Sequence, residues 1–168
     1  TLLDISPTLA MYEQTNMEFA RAYFHWFFLI QREPLPETMI EANPEFFIEK
    51  MMGNRHAGLA AFAPEALAEY RRCIHLPGIA HAICEDYRAA ATIDLEHDRA
   101  DRDAGRKVVQ PLQVLWGVNG VIEKCFKPLD DWARMAVDVR GGSVPCGHYI
   151  PEEAPDALLE AALPFLLG

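Results

Sequence analysis

Hydrophobic positions along the chain follow two rhythms. Three short apolar runs end at turn residues: Leu2 to Ile5, Leu112 to Trp116 just before Gly117, and Ala136 to Val144 around the Gly141-Gly142 pair. Runs of this length, continuous rather than alternating and closed by Gly or Pro, predict buried parallel strands. After the second and third runs the period becomes helical. Phe126 to Ala136 predicts one helix and Ala157 to Leu166 another, with Leu158, Leu159, Ala162, Leu163 and Leu166 on one face. Pro155 falls near the first turn of that last helix, where its missing N–H costs nothing, and Asp156 and Glu160 suit the positive end of the dipole.

From Pro7 to Val108 helical periodicity dominates, and Pro34, Pro36, Pro44, Pro64 and Pro77 cut it into short pieces. The spacing predicts helices over Met17 to Ile30, Glu37 to Asn43, Pro44 to Gly53, Pro64 to Ile74 and a longer one over Gly78 to Asp98. The organisation is therefore α/β: sheet-forming residues 1–16 and 109–168, interrupted by a helical segment, 17–108. Three parallel strands leave exposed edges and an uncovered face. Further strands are expected upstream, because Leu2-Leu3-Asp4 reads as the end of a strand at the very start of the sequence.

Composition narrows the classes. With 168 residues, half of them hydrophobic, the chain is long enough for one buried core and too apolar for disorder. The longest apolar run, Tyr23 to Ile30, is far short of the ~18 residues of a membrane-spanning helix, so no membrane partner is expected. Fifteen basic against 25 acidic residues give a net charge of −10, with no aromatic-basic interleaving, which argues against nucleic acid. Cys73, Cys84, Cys125 and Cys146 share no repeated spacing and follow no secretory signal; reduced thiols and a cytoplasmic location are the expectation. The cysteines and the six histidines show no zinc-type spacing, so no metal is expected, and His56, His75, His81 and His97 read as surface or core residues.

Ligand sites of open α/β sheets lie beyond the carboxyl ends of the strands. Asp4 and His148 both fall there. A carboxylate accepting from one ring nitrogen fixes the tautomer and leaves the other nitrogen to act as a base. The same two residues also fit a bland reading, with Asp4 capping a helix and His148 filling a turn, and spacing alone favours neither. His25 and Trp26 lie in an apolar helix, where buried aromatics are ordinary core, and Tyr87 fits a surface-to-core anchor equally well.

Several segments together resemble a known family. Trp116-Gly117 after an apolar run, the turn Cys146-Gly147-His148-Tyr149-Ile150, then Glu152-Glu153-Ala154-Pro155 and a leucine-rich terminal helix resemble the C-terminal half of an α/β-hydrolase, most closely the haloacetate (fluoroacetate) dehalogenases. Tyr23 to Leu29 and Cys84 to Asp94 resemble the two cap segments of that family. The likeness runs along nearly the whole chain. His25-Trp26 is its most specific part, whereas Gly147-His148 before a terminal helix is common to most α/β-hydrolases.

The resemblance implies a C-terminal α/β-hydrolase core with an inserted helical cap, and a hydrolase acting on carbon-halide bonds of a short 2-haloacid. It implies that His148 activates water, that Asp4 is its carboxylate partner, and that His25, Trp26 and Tyr87 hold the halide through their N–H and O–H donors. The partners implied are a small anionic haloacid and a halide ion; no cofactor is implied, and family members tend to be homodimers. One departure matters. No Gly-x-Asp-x-Gly or Gly-x-Ser-x-Gly nucleophile elbow occurs in these residues, and in the family it lies upstream with the arginines that grip the substrate carboxylate. These 168 residues are therefore expected to be inactive alone. Where many relatives carry the triad acid, the sequence reads Gly117-Val118-Asn119-Gly120 with Glu123 further on, which leaves Asp4 as the better acid.

Two alternatives compete. An epoxide hydrolase of the same fold would need two cap tyrosines; Tyr87 fits one, while His25-Trp26 occupies the place of the other and Tyr23 and Tyr70 are weak substitutes. A non-catalytic helical binding module would make the placement of Asp4 and His148 coincidental, and it predicts no approach between them.

Overall fold

A computed structural model describes residues 1–168. The chain divides into two compact units, an α/β unit of Thr1–Thr15 with His97–Gly168 and a helical unit of Asn16–Glu96.

In the α/β unit, strands β1 (Leu2–Leu3), β2 (Leu112–Gly117) and β3 (Val139–Val144) form a parallel sheet in the order β1-β2-β3. Leu3 pairs with Leu115, and Leu115 with Gly142, so β2 is central. Its residues from Gln113 to Gly117 are all buried, as a strand covered on both faces must be. Edge strand β3 begins later than expected. Residue 136 makes only an isolated bridge to Val108, and the ladder starts at Val139. Gly141 is the one place in β3 where glycine is required: φ is +145°, and a Cβ there would lie 1.8 Å from the Val114 carbonyl oxygen.

Helices α1 (Thr8–Glu13) and, after β2, α9 (Val121–Cys125) and α10 (Pro128–Met135) flank the sheet-forming segments. Phe126 and Lys127 separate the last two because Phe126 is extended and Pro128 opens the second, so the helix expected over 126–136 starts later and is shorter. Beyond β3 come α11 (Ile150–Glu153) and α12 (Pro155–Leu167). The buried face of α12 differs from the expected leucine stripe. Ala162 is buried, with Ala157, Leu158 and Ala161 packed beside it on Leu115, Val144, Cys146 and Ile150. Leu159, Leu163 and Leu166 are exposed. Small residues bring the helix close to the sheet, and the larger leucines fall outside that contact.

The helical unit holds α2 (Met17–Ala22), α3 (His25–Phe28), α4 (Leu35–Ala42), α5 (Pro44–Gly53), a 3-10 turn (Gly58–Ala61), α6 (Pro64–Ile74) and α7 (Ile79–Ala91). The helix expected over 17–30 is broken at Tyr23 and Phe24. There the bonds tighten to i→i+3, from Trp26 N–H to Tyr23 O and from Phe27 N–H to Phe24 O. Around this break the rings of Tyr23, Trp26 and Phe27 all lie against fully buried Phe19, at centroid distances of 5.2, 5.7 and 6.1 Å. The helix expected over 78–98 is likewise two helices, α7 and α8 (Ile93–Asp103). Thr92 between them turns its hydroxyl back to the Arg88 carbonyl at 2.6 Å and leaves the helical region. The helical unit ends within α8, at Glu96, earlier than the expected boundary at 108, and Arg102 on the remainder of α8 pairs with Glu13 of α1.

The core of the helical unit is Leu29, Ile40, Ile74, Ala80 and Cys84, with Phe28, Phe47, Ile83 and Tyr87 against it. Glu37 on α4 is buried and meets Arg88 on α7 at 2.6 Å, and Arg88 also donates to the Gln31 carbonyl. No helix is long and apolar enough to cross a membrane.

Candidate functional site

The chemistry of the α/β unit gathers where its strands end. Asp4 follows β1 with φ of +50°, a left-handed turn that a short polar side chain tolerates, and its N–H donates to the Leu115 carbonyl. This turn sends the carboxylate inward. Asp4 is 1% exposed, and its Oδ1 accepts from the Gly117 N–H at 3.0 Å. Its Oδ2 lies 2.6 Å from His148 Nδ1. With the carboxylate accepting, Nδ1 carries the proton and Nε2 holds the lone pair. The imidazole side chain is 32% exposed, while the carboxylate it meets is 1% exposed.

Glycine at 117 makes the approach geometrically feasible. A Cβ there would lie 2.0 Å from the Gly147 carbonyl oxygen, so the end of β2 and the turn before His148 touch backbone to backbone. Asn119 adds a tie, its N–H donating to the Cys146 carbonyl at 3.0 Å. The Glu123 carboxylate accepts from Trp116 Nε1 and is occupied there. Cys146, buried in the same turn, has its thiol pushed up to about 11, first by burial and then by the charges of Glu153 and Asp4.

Within the helical unit, the three residues expected to hold halide lie together. His25 and Tyr87 have ring centroids 5.8 Å apart and nearly perpendicular, and Trp26 and Tyr87 are 6.3 Å apart in the same edge-on relation. His25 and Trp26 are each 8% exposed. Tyr23 completes the cluster, 5.2 Å from His25, and carries the Arg55 guanidinium 4.3 Å above its ring. The tightened turn at Tyr23 and Phe24 is what brings consecutive residues His25 and Trp26 to the same tyrosine.

Sequence reasoning overlooked two participants. Glu153 accepts from the Gly147 N–H at 2.6 Å and from the Tyr149 N–H at 3.1 Å. Its signal was the acidic pair at the end of a single-turn helix, spaced to fold back on the N-terminal N–H groups in the manner of a capping box. Gly120 is the other: its N–H closes the turn on Gly117 O, and a Cβ there would come 3.3 Å from Asp4 Oδ1. No group of three His, Cys, Asp or Glu side chains is arranged to hold a metal ion. The reading of the chain as a helical module with an accidental Asp4–His148 placement required the two residues to be apart, and the 2.6 Å contact overturns it.

No family model matches the chain. It is 40% identical over 156 residues to a fluoroacetate dehalogenase of Burkholderia sp, an alignment covering 92% of this chain and 51% of that protein. A soluble epoxide hydrolase of Corynebacterium sp. (strain C12) is 33% identical over 105 residues, covering 62% of this chain and 34% of the relative. Among solved structures, a Nostoc sp PCC 7120 protein assigned to the α/β hydrolases superposes with a TM-score of 0.93 at 53% identity, over 98% of this chain and 56% of that one. The chain thus spans about half the length of the Burkholderia and Nostoc proteins. A parallel sheet with flanking helices, a helical unit inserted after its first strand, and the superposition on the Nostoc structure lead to one conclusion: the chain has part of the α/β-hydrolase fold.

Proposed function

We propose that these residues serve the hydrolytic dehalogenation of a short 2-haloacid such as haloacetate or fluoroacetate. The observation that carries the proposal is the Asp4–His148 pair, a buried carboxylate 2.6 Å from the Nδ1 of an imidazole. Similarity to a fluoroacetate dehalogenase directs it to carbon-halide chemistry.

The chemistry needs a carboxylate nucleophile supplied from outside these 168 residues. That carboxylate attacks the carbon bearing the halogen, the carbon-halogen bond breaks, halide leaves, and an ester to the protein forms. His148 Nε2 then takes a proton from water, and the hydroxide attacks the ester carbonyl. The acyl-oxygen bond breaks, the carboxylate is regenerated, and a 2-hydroxy acid departs. Asp4 keeps Nδ1 protonated and balances the imidazolium that forms, which afterwards returns its proton to solvent. His25, Trp26 and Tyr87 are assigned to the departing halide, whose charge their polar hydrogens stabilise. No metal or organic cofactor has a step in this sequence. The substrate and product are anions, and a homodimer in the cytoplasm is the expected setting.

The test is a comparison of fluoride release from fluoroacetate with diol formation from styrene oxide, in protein that carries these residues together with the nucleophile. Fluoride release without diol supports the proposal. Diol formation alone favours the epoxide-hydrolase reading, which the Corynebacterium relative and the cap tyrosines Tyr87 and Tyr23 support.

A further inference from the structure

His148 sits between two peptide N–H groups that end on the same side chain. The Gly147 N–H, before it, donates to Glu153 Oε2 at 2.6 Å, and the Tyr149 N–H, after it, donates to Glu153 Oε1 at 3.1 Å. One carboxylate therefore spans the histidine along the backbone. A carboxylate accepting from backbone N–H groups makes charge-assisted bonds, shorter and stronger than those of a neutral acceptor. Two of them to one planar group tie the Cys146–Gly147 and His148–Tyr149 peptide planes to each other.

From these contacts we infer that Glu153 is a positioning residue for His148. It holds the backbone on both sides of the imidazole, so that Nδ1 meets Asp4 in a single orientation. Other ties hold the turn before the histidine, and the Glu152 and Glu153 N–H groups donate to the Tyr149 carbonyl after it. Cys146 N–H donates to Val144 O, Asn119 N–H to Cys146 O, and Gly147 O packs on Gly117. The Glu153 carboxylate adds a side-chain restraint after it, at the N–H of Tyr149, whose ring stands edge-on to the imidazole with centroids 4.8 Å apart. Glu153 lies at the end of α11, a turn of helix that opens with Ile150, a residue with no exposed surface. The carboxylate is thus carried on a buried anchor.

Only the catalytic consequence of this inference rests on the proposed dehalogenation; the geometry stands by itself. Glu153→Gln is the informative variant. Its amide oxygen accepts from one N–H, while its NH2 confronts the other donor, so one restraint is lost at constant volume. Glu160→Gln, on the exposed side of α12, removes the same charge without touching the turn. The protein carrying these residues and its nucleophile is followed by two readouts: the low-field proton NMR signal of His148 Nδ1–H, and halide release in the first turnover against the steady state. In Glu153→Gln the signal should shift and broaden, and steady-state turnover should fall about tenfold or more, the scale of a small misplacement of a catalytic group. First-turnover halide release, which precedes the water step, should persist, and Glu160→Gln should match wild type in both readouts. An unchanged Nδ1 signal with unchanged turnover in Glu153→Gln would overturn the inference. So would a parallel fall of first-turnover release and turnover, tracking a loss of folded protein. If the unsubstituted protein releases no halide from any 2-haloacid, the dehalogenase proposal fails, while the NMR comparison still decides the role of Glu153.

Discussion

The Nδ1 of His148 lies 2.6 Å from Oδ2 of Asp4, a contact between residues 144 positions apart. It is made by two strand ends and closed by a third, because the same carboxylate accepts from Gly117 at the end of β2. Asp4 is thereby tied to β2 directly, and the turn that carries His148 is tied to it through Gly117 and Asn119.

Asp4→Asn separates the two tasks of this carboxylate. The amide oxygen can still accept from the Gly117 N–H, but an NH2 facing Nδ1 reverses the histidine tautomer and protonates Nε2. Turnover should fall by about 10⁴-fold, the cost of an inverted tautomer in a comparable pair, with little change in the urea midpoint. Asp4→Ala should in addition leave the Gly117 N–H without its acceptor and cost about 1–3 kcal/mol of stability. Circular dichroism with denaturant for the fold, and halide release by protein that carries these residues together with the nucleophile, distinguish the two variants.

Three glycines should respond differently to alanine. At Gly141 a Cβ meets the Val114 carbonyl oxygen at 1.8 Å and φ is +145°; at Gly117 it meets the Gly147 carbonyl oxygen at 2.0 Å; at Gly142 it meets nothing within 4 Å. Backbone atoms cannot move aside as a side chain does. Gly141→Ala and Gly117→Ala should each destabilise by about 3 kcal/mol or more, whereas Gly142→Ala should lie within about 0.5 kcal/mol of the parent. Thermal unfolding followed at 222 nm gives the order.

What could be read in the sequence divides along physical lines. Strand β2 was legible to within a residue because a strand covered on both faces must be apolar throughout. The α5 and α6 boundaries were legible because Pro44 and Pro64 open them. The breaks at Tyr23 and Thr92 were not, since both lie in runs of unbroken helical period, and one arises from aromatic packing around Phe19, the other from a threonine hydroxyl turned to the backbone. The leucines of α12 misled for a related reason: periodicity shows that a face exists, and Ala157, Ala161 and Ala162 show which face a close-packed sheet accepts. Their positions after strands made Asp4 and His148 candidates and the family resemblance paired them, whereas the return of Glu153 to Gly147 and Tyr149 depends on the exact turn of α11.

The thiols offer a test of burial. Cys84 and Cys146 are buried, and each thiol is pushed up to about 11, first by desolvation and then by nearby carboxylates, Glu37 for Cys84 and Glu153 with Asp4 for Cys146. The thiolate is the reactive form. At pH 8 both should resist iodoacetamide while Cys73 and Cys125, half-buried, are modified first. Peptide mass spectrometry of a timed labelling reads the order, and early modification of Cys146 would contradict the packed turn around His148.

Glu37 makes the helical unit sensitive to acid. Hydrogen bonding from Arg88 holds its carboxyl below the usual range against the opposing effect of burial. A carboxyl with a lowered folded-state value contributes stability that is present above its unfolded value and is lost as pH falls through the folded one. The unfolding midpoint of the protein should therefore drop on acidification, and Glu37→Gln should flatten part of that drop while lowering stability at neutral pH, because Arg88 loses its buried counter-charge. Arg88 keeps Glu85 and the Gln31 carbonyl, so the neutral-pH cost should stay near 1–3 kcal/mol. Urea titrations between pH 3 and 7, a range spanning ordinary carboxyl values, measure both effects.

Halide binding tests the assignment of the aromatic cluster. Trp26, 8% exposed and edge-on to Tyr87, is placed where a bound heavy halide would quench its emission. Iodide should quench a saturable fraction of the tryptophan fluorescence, on top of the linear collisional component that any exposed indole shows. Trp26→Phe should abolish the saturable part, and His25→Ala or Tyr87→Phe should weaken it by the loss of one donor each, about tenfold or more in affinity for a hydrogen bond to a charged group of about 1.5–3 kcal/mol. Trp116 supplies the control within the same chain: its Nε1 already donates to Glu123, and its replacement should lower total emission without altering the saturable component. If the saturable quenching survived in Trp26→Phe and disappeared with Trp116, the halide would be bound in the α/β unit, and the assignment of His25, Trp26 and Tyr87 to the leaving group would be lost.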